Sequence, residues 1–394
     1  MRLGFYHHAT IVPKDKRLYI IGHIGRFLDG LAQNCTSLTL FMHVANEDDP
    51  EDNIHEYALI GENINFVSMG PHRSAPYRTI SGEKYRRIVK KYINQIDALL
   101  IRGPSPLLPV LAKLGKSIPI ALLIGGDYLA EVDTLPQPFW RKELIRIWSR
   151  YYQKESLKAA KRSLTFVNSR KLFEEMQPYV PKLFEIKTTT LTEKDFYVRE
   201  DTCKAGPFHL LYTGRMARTK GILDMVEALA LLIRQGQDVV LDLVGPEEKG
   251  DPILDQVNSH VKELNISERV IYHGFRPVGP ELFNFYKQAD IYLLASQSSF
   301  EGFPRTIWEA MAHSLPVIAT SVGSIPYYLR NNLDAIIVPP NDPLAITAAV
   351  DNMLSDGILR KKIISNGYAL AYENQVNKRS QEMIQIIQEW LRSL

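Results

Sequence analysis

Short apolar runs recur along this chain at the lengths of buried strands, with helical periodicity between them, and the series occurs twice. In the first half the runs fall at 2–6, 38–43, 65–68, 98–101, 118–123 and 164–168. In the second they fall at 210–212, 239–244, 270–272, 291–294, 317–319 and 335–338. Brief, continuously apolar runs bounded by turn residues suit strands covered on both faces, and strands that alternate with helices pair in parallel. Two series predict an α/β chain of two doubly wound, Rossmann-like domains. A length of 394 residues, too great for one typical core, agrees. The stretch 188–207, TTTLTEKDFYVREDTCKAGP, is polar and loses periodicity, so it reads as the linker. The domains are then 1–195 and 196–376. A last helix, 377–394, sets Met383, Ile384, Ile387, Trp390, Leu391 and Leu394 on one stripe that needs a surface to cover.

The overall charge of +3 is unevenly shared, since residues 1–200 carry +7 and the remainder −4. An acidic partner for the first half follows: a membrane surface, a phosphorylated acceptor or nucleic acid. Cys35 and Cys203 are too few for a disulfide framework and have no metal-ligand spacing, which favours a reducing compartment. The N-terminus lacks a signal-peptide core and no apolar stretch reaches the length of a membrane span. A cytosolic protein is expected, free or attached to a membrane face. The acidic cluster at 47–52 reads as a solvated turn, because Pro50 interrupts it.

Chemistry concentrates in 296–325, SQSSFEGFPRTIWEAMAHSLPVIATSVGSI. Pro304 marks the approach to a helix over 305–314, which puts Glu309 in its second turn while Glu301 opens the preceding loop. Helical side chains lean toward the N-terminus, so both carboxylates are expected at one mouth. A helix N-terminus favours an anion such as phosphate, and carboxylates beside it suit hydroxyl groups. Together they describe a sugar nucleotide. Upstream, the first strand of the second half is followed by Gly214, Arg215 and Lys220, a tight turn with two cations at the strand end where open parallel sheets bind ligands. A third element, VIYHGFRP at 270–277, is another strand running into a glycine turn.

The Glu-to-Glu spacing in EGFPRTIWEAMA, followed by PVIAT and preceded by GR…KG, resembles the signature of the retaining glycosyltransferases of family 4, which have the GT-B fold. The resemblance implies two domains facing a central cleft, with the last helix crossing back to the first, acceptor-side domain. It assigns Arg215 and Lys220 to the donor diphosphate and its developing charge. Glu301, with the backbone N–H groups of Gly302 and Phe303, would hold sugar hydroxyls, and Glu309 the ribose. Pro304, Thr306 and Gly214 complete the donor segment, and Gly274, Phe275 and Arg276 lie beside the base. The reaction implied is transfer from a nucleotide sugar, a UDP-sugar favoured, to a hydroxyl of a glycan or lipid-linked acceptor. A synthase acting on a small sugar or sugar phosphate, or a silent sugar-nucleotide-binding subunit, are the alternatives. No cofactor beyond the donor substrate, no metal and no nucleic acid is expected.

The first half departs from that pattern. It has GHIG at 22–25 where a glycine pair is frequent, and Gly125 or Gly126 where a histidine is frequent, leaving Arg102 and Asp127 as polar residues for donor or acceptor contacts. In the second half, Ser324 and Tyr327 in VGSIPYY replace the frequent GGxPE. The sequence lacks G-x-G-x-x-G, G-x-x-x-x-G-K-S/T and Asp-x-Asp, which argues against dinucleotide oxidoreductases, P-loop ATPases and the metal-holding motif of the other common glycosyltransferase fold. Finally, 139–162 reads as a helix with a cationic stripe, Arg146, Arg150, Lys154, Lys158 and Arg162. Its apolar face, Leu144, Trp148, Tyr151 and Tyr152, either packs on the sheet or docks, with Tyr85, Arg86, Arg87, Lys90 and Lys91, on anionic lipid.

Overall fold

A computed structural model describes residues 1–45, 55–125, 138–248, 250–298 and 301–394. Asp127, Gly126 and the acidic cluster lie outside the described residues. The chain divides into two compact units, Met1–Thr190 with Val376–Leu394, and Leu191–Gln375.

All twelve expected strands are present. In the first unit the parallel sheet runs, in space, Ile64–Pro71, Ser37–Val44, Arg2–Lys14, Ala98–Gly103, Ile120–Ile124, Leu164–Val167 and Leu183–Glu185. The last of these is an addition to the sequence reading. So is a small antiparallel extension: the first strand shifts register between Tyr6 and Thr10, runs on to Lys14 and pairs with Arg17–Ile20, which in turn pairs with Tyr57–Ala58.

Alternation along these strands separates two cores, one on each face. Leu3, Phe5, Leu38, Leu40, Met42, Ala98 and Leu100 face one way, and Tyr6, Phe41, Leu99, Ile101 and Leu122 the other. The first of these cores is completed by the final helix, Val376–Arg392, through Met383, Ile384, Ile387 and Trp390. It packs against the helix Gly22–Gln33, where Gly30 lets Ser380 approach: a Cβ there would lie 2.7 Å from the serine Oγ. The GHIG glycines serve packing as well, since a Cβ on Gly25 would lie 2.3 Å from the Tyr57 ring, and the Gly22 N–H donates to Glu56 Oε1 at 2.9 Å.

The second unit has one six-stranded parallel sheet in the order Val270–Tyr272, Val239–Val244, Phe208–Thr213, Ile291–Leu294, Val317–Thr320, Ile336–Val338. The strand order reverses between Phe208–Thr213 and Ile291–Leu294, which are neighbours although the chain visits two other strands between them. Such a switch point leaves a crevice beyond the strand ends. Among the described residues no helix is long and apolar enough to cross a membrane.

The helix Phe139–Ala160 corrects the expectation of one apolar face. Trp148 and Tyr152, one turn apart, stack at 5.4 Å and pack inward, whereas Leu144 and Tyr151 are exposed, in line with Trp140 and Ile147. The helical advance of 100° per residue puts 148 and 152 on one side and 140, 144, 147 and 151 on another. Arg146 is paired with Glu143, and Lys158 with Glu155 at 2.6 Å. Arg86, Lys158 and Arg162 share the lining of a groove of about 890 Å³.

Candidate functional site

The second unit's switch point brings Lys220 and Glu301 together. After Phe208–Thr213 the chain turns through Gly214 and Arg215 and reaches Lys220 just before the helix Ile222–Arg234. Gly221 between them is left-handed, φ 65°, and a Cβ on it would lie 2.0 Å from the carbonyl oxygen of Ala295. Only glycine lets the two strand-end loops approach this closely. The Gln297 N–H then donates to the Thr219 carbonyl at 2.8 Å, tying the loops.

Lys220 Nζ lies 2.6 Å from Glu301 Oε2, and the Ser296 hydroxyl donates to the same oxygen at 2.6 Å. Ser296 opens the stretch singled out by sequence but was given no role there, although its place just beyond a buried apolar run is a signal that could have found one. The Glu301 carbonyl accepts from the Ser324 N–H at 3.1 Å. Gly323, φ 54°, makes that contact feasible, because a Cβ there would sit 1.9 Å from the Glu301 carbonyl oxygen. The departure from GGxPE therefore leaves the glycine that seats Glu301 in place. Ser324 is buried and Tyr327 exposed.

Beyond Glu301, the backbone N–H groups of Gly302, Phe303, Arg305 and Thr306 meet no acceptor among the described residues. Pro304 leads into the helix Arg305–Ala312, whose first N–H groups have no intrahelical partner, leaving donors ready for an anion. Phe303 is buried between Trp308 and Tyr328, with ring centroids at 4.2 and 5.2 Å, and so fixes the loop. Thr306 faces the buried Tyr292 hydroxyl.

Glu309 takes a different setting from Glu301. It is 3% exposed, and its Oε2 accepts from the Tyr286 hydroxyl at 2.9 Å. The Tyr286 hydroxyl also meets Thr213 Oγ1 at 2.6 Å, and Tyr292 donates to the Thr213 carbonyl at 3.2 Å. Burial first, and then the Glu309 charge, raise the Tyr286 hydroxyl far above the usual phenol range, keeping it a donor. Neither tyrosine was singled out by sequence: Tyr292 stands in the apolar run 291–294, and Tyr286 shares the apolar face of the helix Pro280–Gln288 with Leu282 and Phe283.

Arg215 stands apart from the Lys220–Glu301 pair: Nη1 lies 2.6 Å from Glu248 Oε2 at an exposed position. Gly214, Gly245 and Gly274 end three adjacent strands. A Cβ on Gly245 would lie 1.9 Å from the Gly214 carbonyl oxygen, and the Gly245 N–H donates to the Gly274 carbonyl at 2.9 Å. Phe275 and Arg276 follow on the surface, Arg276 Nη1 donating to the Phe275 carbonyl at 2.8 Å. His273 is held 2.7 Å from Asp242, which also meets His209 at 2.7 Å.

In the first unit, Arg102 lies against Gly125. A Cβ at Gly125 would meet its Nη1 at 2.3 Å, so the guanidinium fills the space that a side chain at 125 would need.

Solved structures share this architecture over the whole chain. HepE of Anabaena, determined in complex with UDP, superposes with a TM-score of 0.72 at 17% identity, covering 100% of both chains. The fold is GT-B. Residues 194–370, nearly all of the second unit of this GT-B chain, match the family described as glycosyl transferases group 1. An uncharacterized glycosyltransferase of Methanocaldococcus jannaschii is 30% identical over 164 residues, 42% of this chain and 40% of that protein. The amylovoran biosynthesis glycosyltransferase AmsK of Erwinia amylovora is 30% identical over 155 residues, 38% of this chain and 37% of that protein. The chain thus spans about two fifths of the length of the curated relatives it matches.

Proposed function

We propose that this chain is a retaining glycosyltransferase of the family 4 type, moving a sugar from a nucleotide donor, a UDP-sugar favoured, to a hydroxyl of a glycan or lipid-linked acceptor. The observation that carries the reading is Lys220, Glu301 and Ser296 converging at the switch point beside helix-start N–H groups that meet no acceptor among the described residues. Lys220 and the N–H groups of Arg305 and Thr306 hold the diphosphate, with Arg215 joining them. The Arg215–Glu248 pair is exposed, and such pairs contribute about 0–1 kcal/mol, so a doubly charged ligand outcompetes Glu248. Glu301 and the N–H groups of Gly302 and Phe303 hold the sugar hydroxyls, Glu309 the ribose, and the Gly274–Arg276 turn the base.

In the reaction the bond between the anomeric carbon and the diphosphate oxygen breaks, its electron pair leaving with the diphosphate. The acceptor oxygen bonds to the same face of that carbon, and its proton passes to the departing oxygen. Lys220 and Arg215 stabilise the charge as it develops, the part a metal plays elsewhere. Incubation with UDP-, GDP- and ADP-sugars tests this by two readouts. Raised melting temperature with one donor class and slow release of its nucleoside diphosphate are expected. Stabilisation with no release would instead fit the silent binding subunit, and no response to any donor would remove the reading.

A second observation bears on the acceptor. Trp140, Leu144, Ile147 and Tyr151 are 59–64% exposed along one side of Phe139–Ala160, and Lys154 and Lys158 continue that side with Arg150 flanking it. Aromatic and aliphatic groups beside basic ones suit the interface of an anionic bilayer, where each cation adds on the order of 1 kcal/mol. An acceptor presented at a membrane follows. Co-sedimentation with liposomes should rise with anionic lipid, fall with salt, and weaken in Ile147→Ser and in Arg150→Glu with Lys154→Glu. Wild-type protein that ignores anionic liposomes at low salt would point to the small soluble acceptor.

A further inference from the structure

The parallel strands of the first unit end in a cationic rim. His7 and His8 stand just past the run of the first strand that pairs with Ala98–Gly103, His43 near the end of Ser37–Val44, His72 after Ile64–Pro71, and Arg102 near the end of Ala98–Gly103. Arg78 joins them from the helix Ala75–Ile80. The first strand lies between the second and fourth parallel strands, Ser37–Val44 and Ala98–Gly103, which makes this edge the switch point of the first sheet.

Arg78 is 6% exposed; its side chain hydrogen-bonds the Tyr6 hydroxyl, while its Nε and Nη1 have no hydrogen-bond partner among the described residues. No carboxylate among the described residues pairs with it. The guanidinium lies beside Tyr6, whose hydroxyl meets Ser105 Oγ at 2.9 Å. His8 Nδ1 is also buried without a partner, and its ring stacks on His7 at 4.6 Å. Burial, and then the Arg78 charge, hold His8 and His43 at about 4, so both rings are neutral at ordinary pH and the charge of the rim rests on arginine. A guanidinium withdrawn from water with no counter-charge is costly, and its planar fork is shaped for phosphate.

We propose that this rim binds a phosphoryl group, with Arg78 as the principal cation and His8 and Tyr6 as hydrogen-bonding groups, and that the acceptor is therefore a phosphate ester. The word acceptor rests on the glycosyltransferase reading; the anion site does not. A soluble sugar phosphate and a polyprenyl-type lipid phosphate share this chemistry.

Calorimetric titration of the full chain with inorganic phosphate, with and without saturating UDP, is the test. A phosphate site that persists under UDP is expected. Its affinity should fall about tenfold or more in Arg78→Met, the loss of a charged hydrogen-bonding partner, and recover in part in Arg78→Lys. UDP affinity should be unchanged, and phosphate-free Arg78→Met should melt at or above the wild type, because a buried charge with no counter-charge among the described residues has gone. Three results overturn the proposal: no phosphate binding by the wild type at millimolar concentration, a site that vanishes when UDP is bound, or an Arg78→Met protein that melts lower yet binds phosphate as before. If UDP itself fails to bind, the donor reading falls while the phosphate titration alone still decides this site. Titration with a sugar 1-phosphate and a short-chain polyprenyl phosphate then identifies the source, the one whose affinity depends more on Arg78.

Discussion

Lys220 Nζ and Glu301 Oε2 meet at 2.6 Å across 81 positions of sequence, with both side chains largely shielded from water. Either partner alone would leave a half-buried charge, so the two act as one unit. Lys220→Met and Glu301→Gln should each lower turnover by roughly 10²–10³-fold, the range for loss of one preorganised charge-stabilising group. The double variant should be far less than multiplicatively worse. Steady-state kinetics on the three proteins checks this, and multiplicative losses would show that the pair does not function together.

Glu309→Ala should weaken donor binding, whereas Glu301→Ala should mainly reduce turnover, because one is assigned to the ribose and the other to the transferred sugar. Tyr286→Phe removes the donor to the buried Glu309 oxygen and should destabilise the protein by about 1–3 kcal/mol while raising the donor KM. Urea unfolding and donor titration read the two effects, and a Tyr286→Phe protein normal in both would detach the tyrosine from the site.

Gly323→Ala places a methyl group where the Glu301 carbonyl stands and demands a left-handed backbone. A loss of more than about 1 kcal/mol is expected, together with a fall in activity larger than stability explains, since the loop carrying Glu301 must shift. Activity measured well below the variant's melting temperature separates the two. Full activity there would mean that the seating of Glu301 is unimportant.

His43 is wholly buried, and burial followed by the charges of Arg78 and His72 holds it at about 4, below the ordinary 6.5. Its neutral form is the folded one, so the contribution is complete above pH 6.5 and is lost as pH falls toward 4. The gap is worth roughly 3 kcal/mol. The urea midpoint should therefore drop through that interval, and less steeply in His43→Leu. Equal slopes would assign the acid sensitivity to other groups.

Transfer activity should survive EDTA, given the two cations and the helix start proposed to hold the diphosphate. Complete loss on chelation, restored by magnesium or manganese, would overturn that charge accounting.

Much of this was legible in the sequence because buried parallel strands are written as short unbroken apolar runs. The helix Arg305–Ala312 was legible from Pro304, and the turn at Gly214 from a glycine directly after a strand. Relationships that depend on which loops meet were not. Glu248 is distant in sequence from Arg215, and Tyr286 hides its hydroxyl inside an apolar pattern. The two faces of Phe139–Ala160 were merged because its apolar residues are spread round the helix, and only packing decides which of them turn inward. The strand Arg17–Ile20 escaped notice because it pairs with an overrun of the first strand, which no local run announces.

The first unit is built from two separated segments of chain, and its core waits for Met383, Ile384, Ile387 and Trp390. Burial of an aliphatic side chain contributes about 1.5–3 kcal/mol, so these four carry an amount comparable with the whole stability of an ordinary domain. On the ribosome, every residue of the second unit is synthesised between Thr190 and Val376, a delay on the order of 10–40 s at about 5–20 residues per second. The first unit, begun before the second, is therefore completed only after it, and during that interval its sheet has one uncovered apolar face. A nascent chain stalled before Val376 is the form that would need a chaperone.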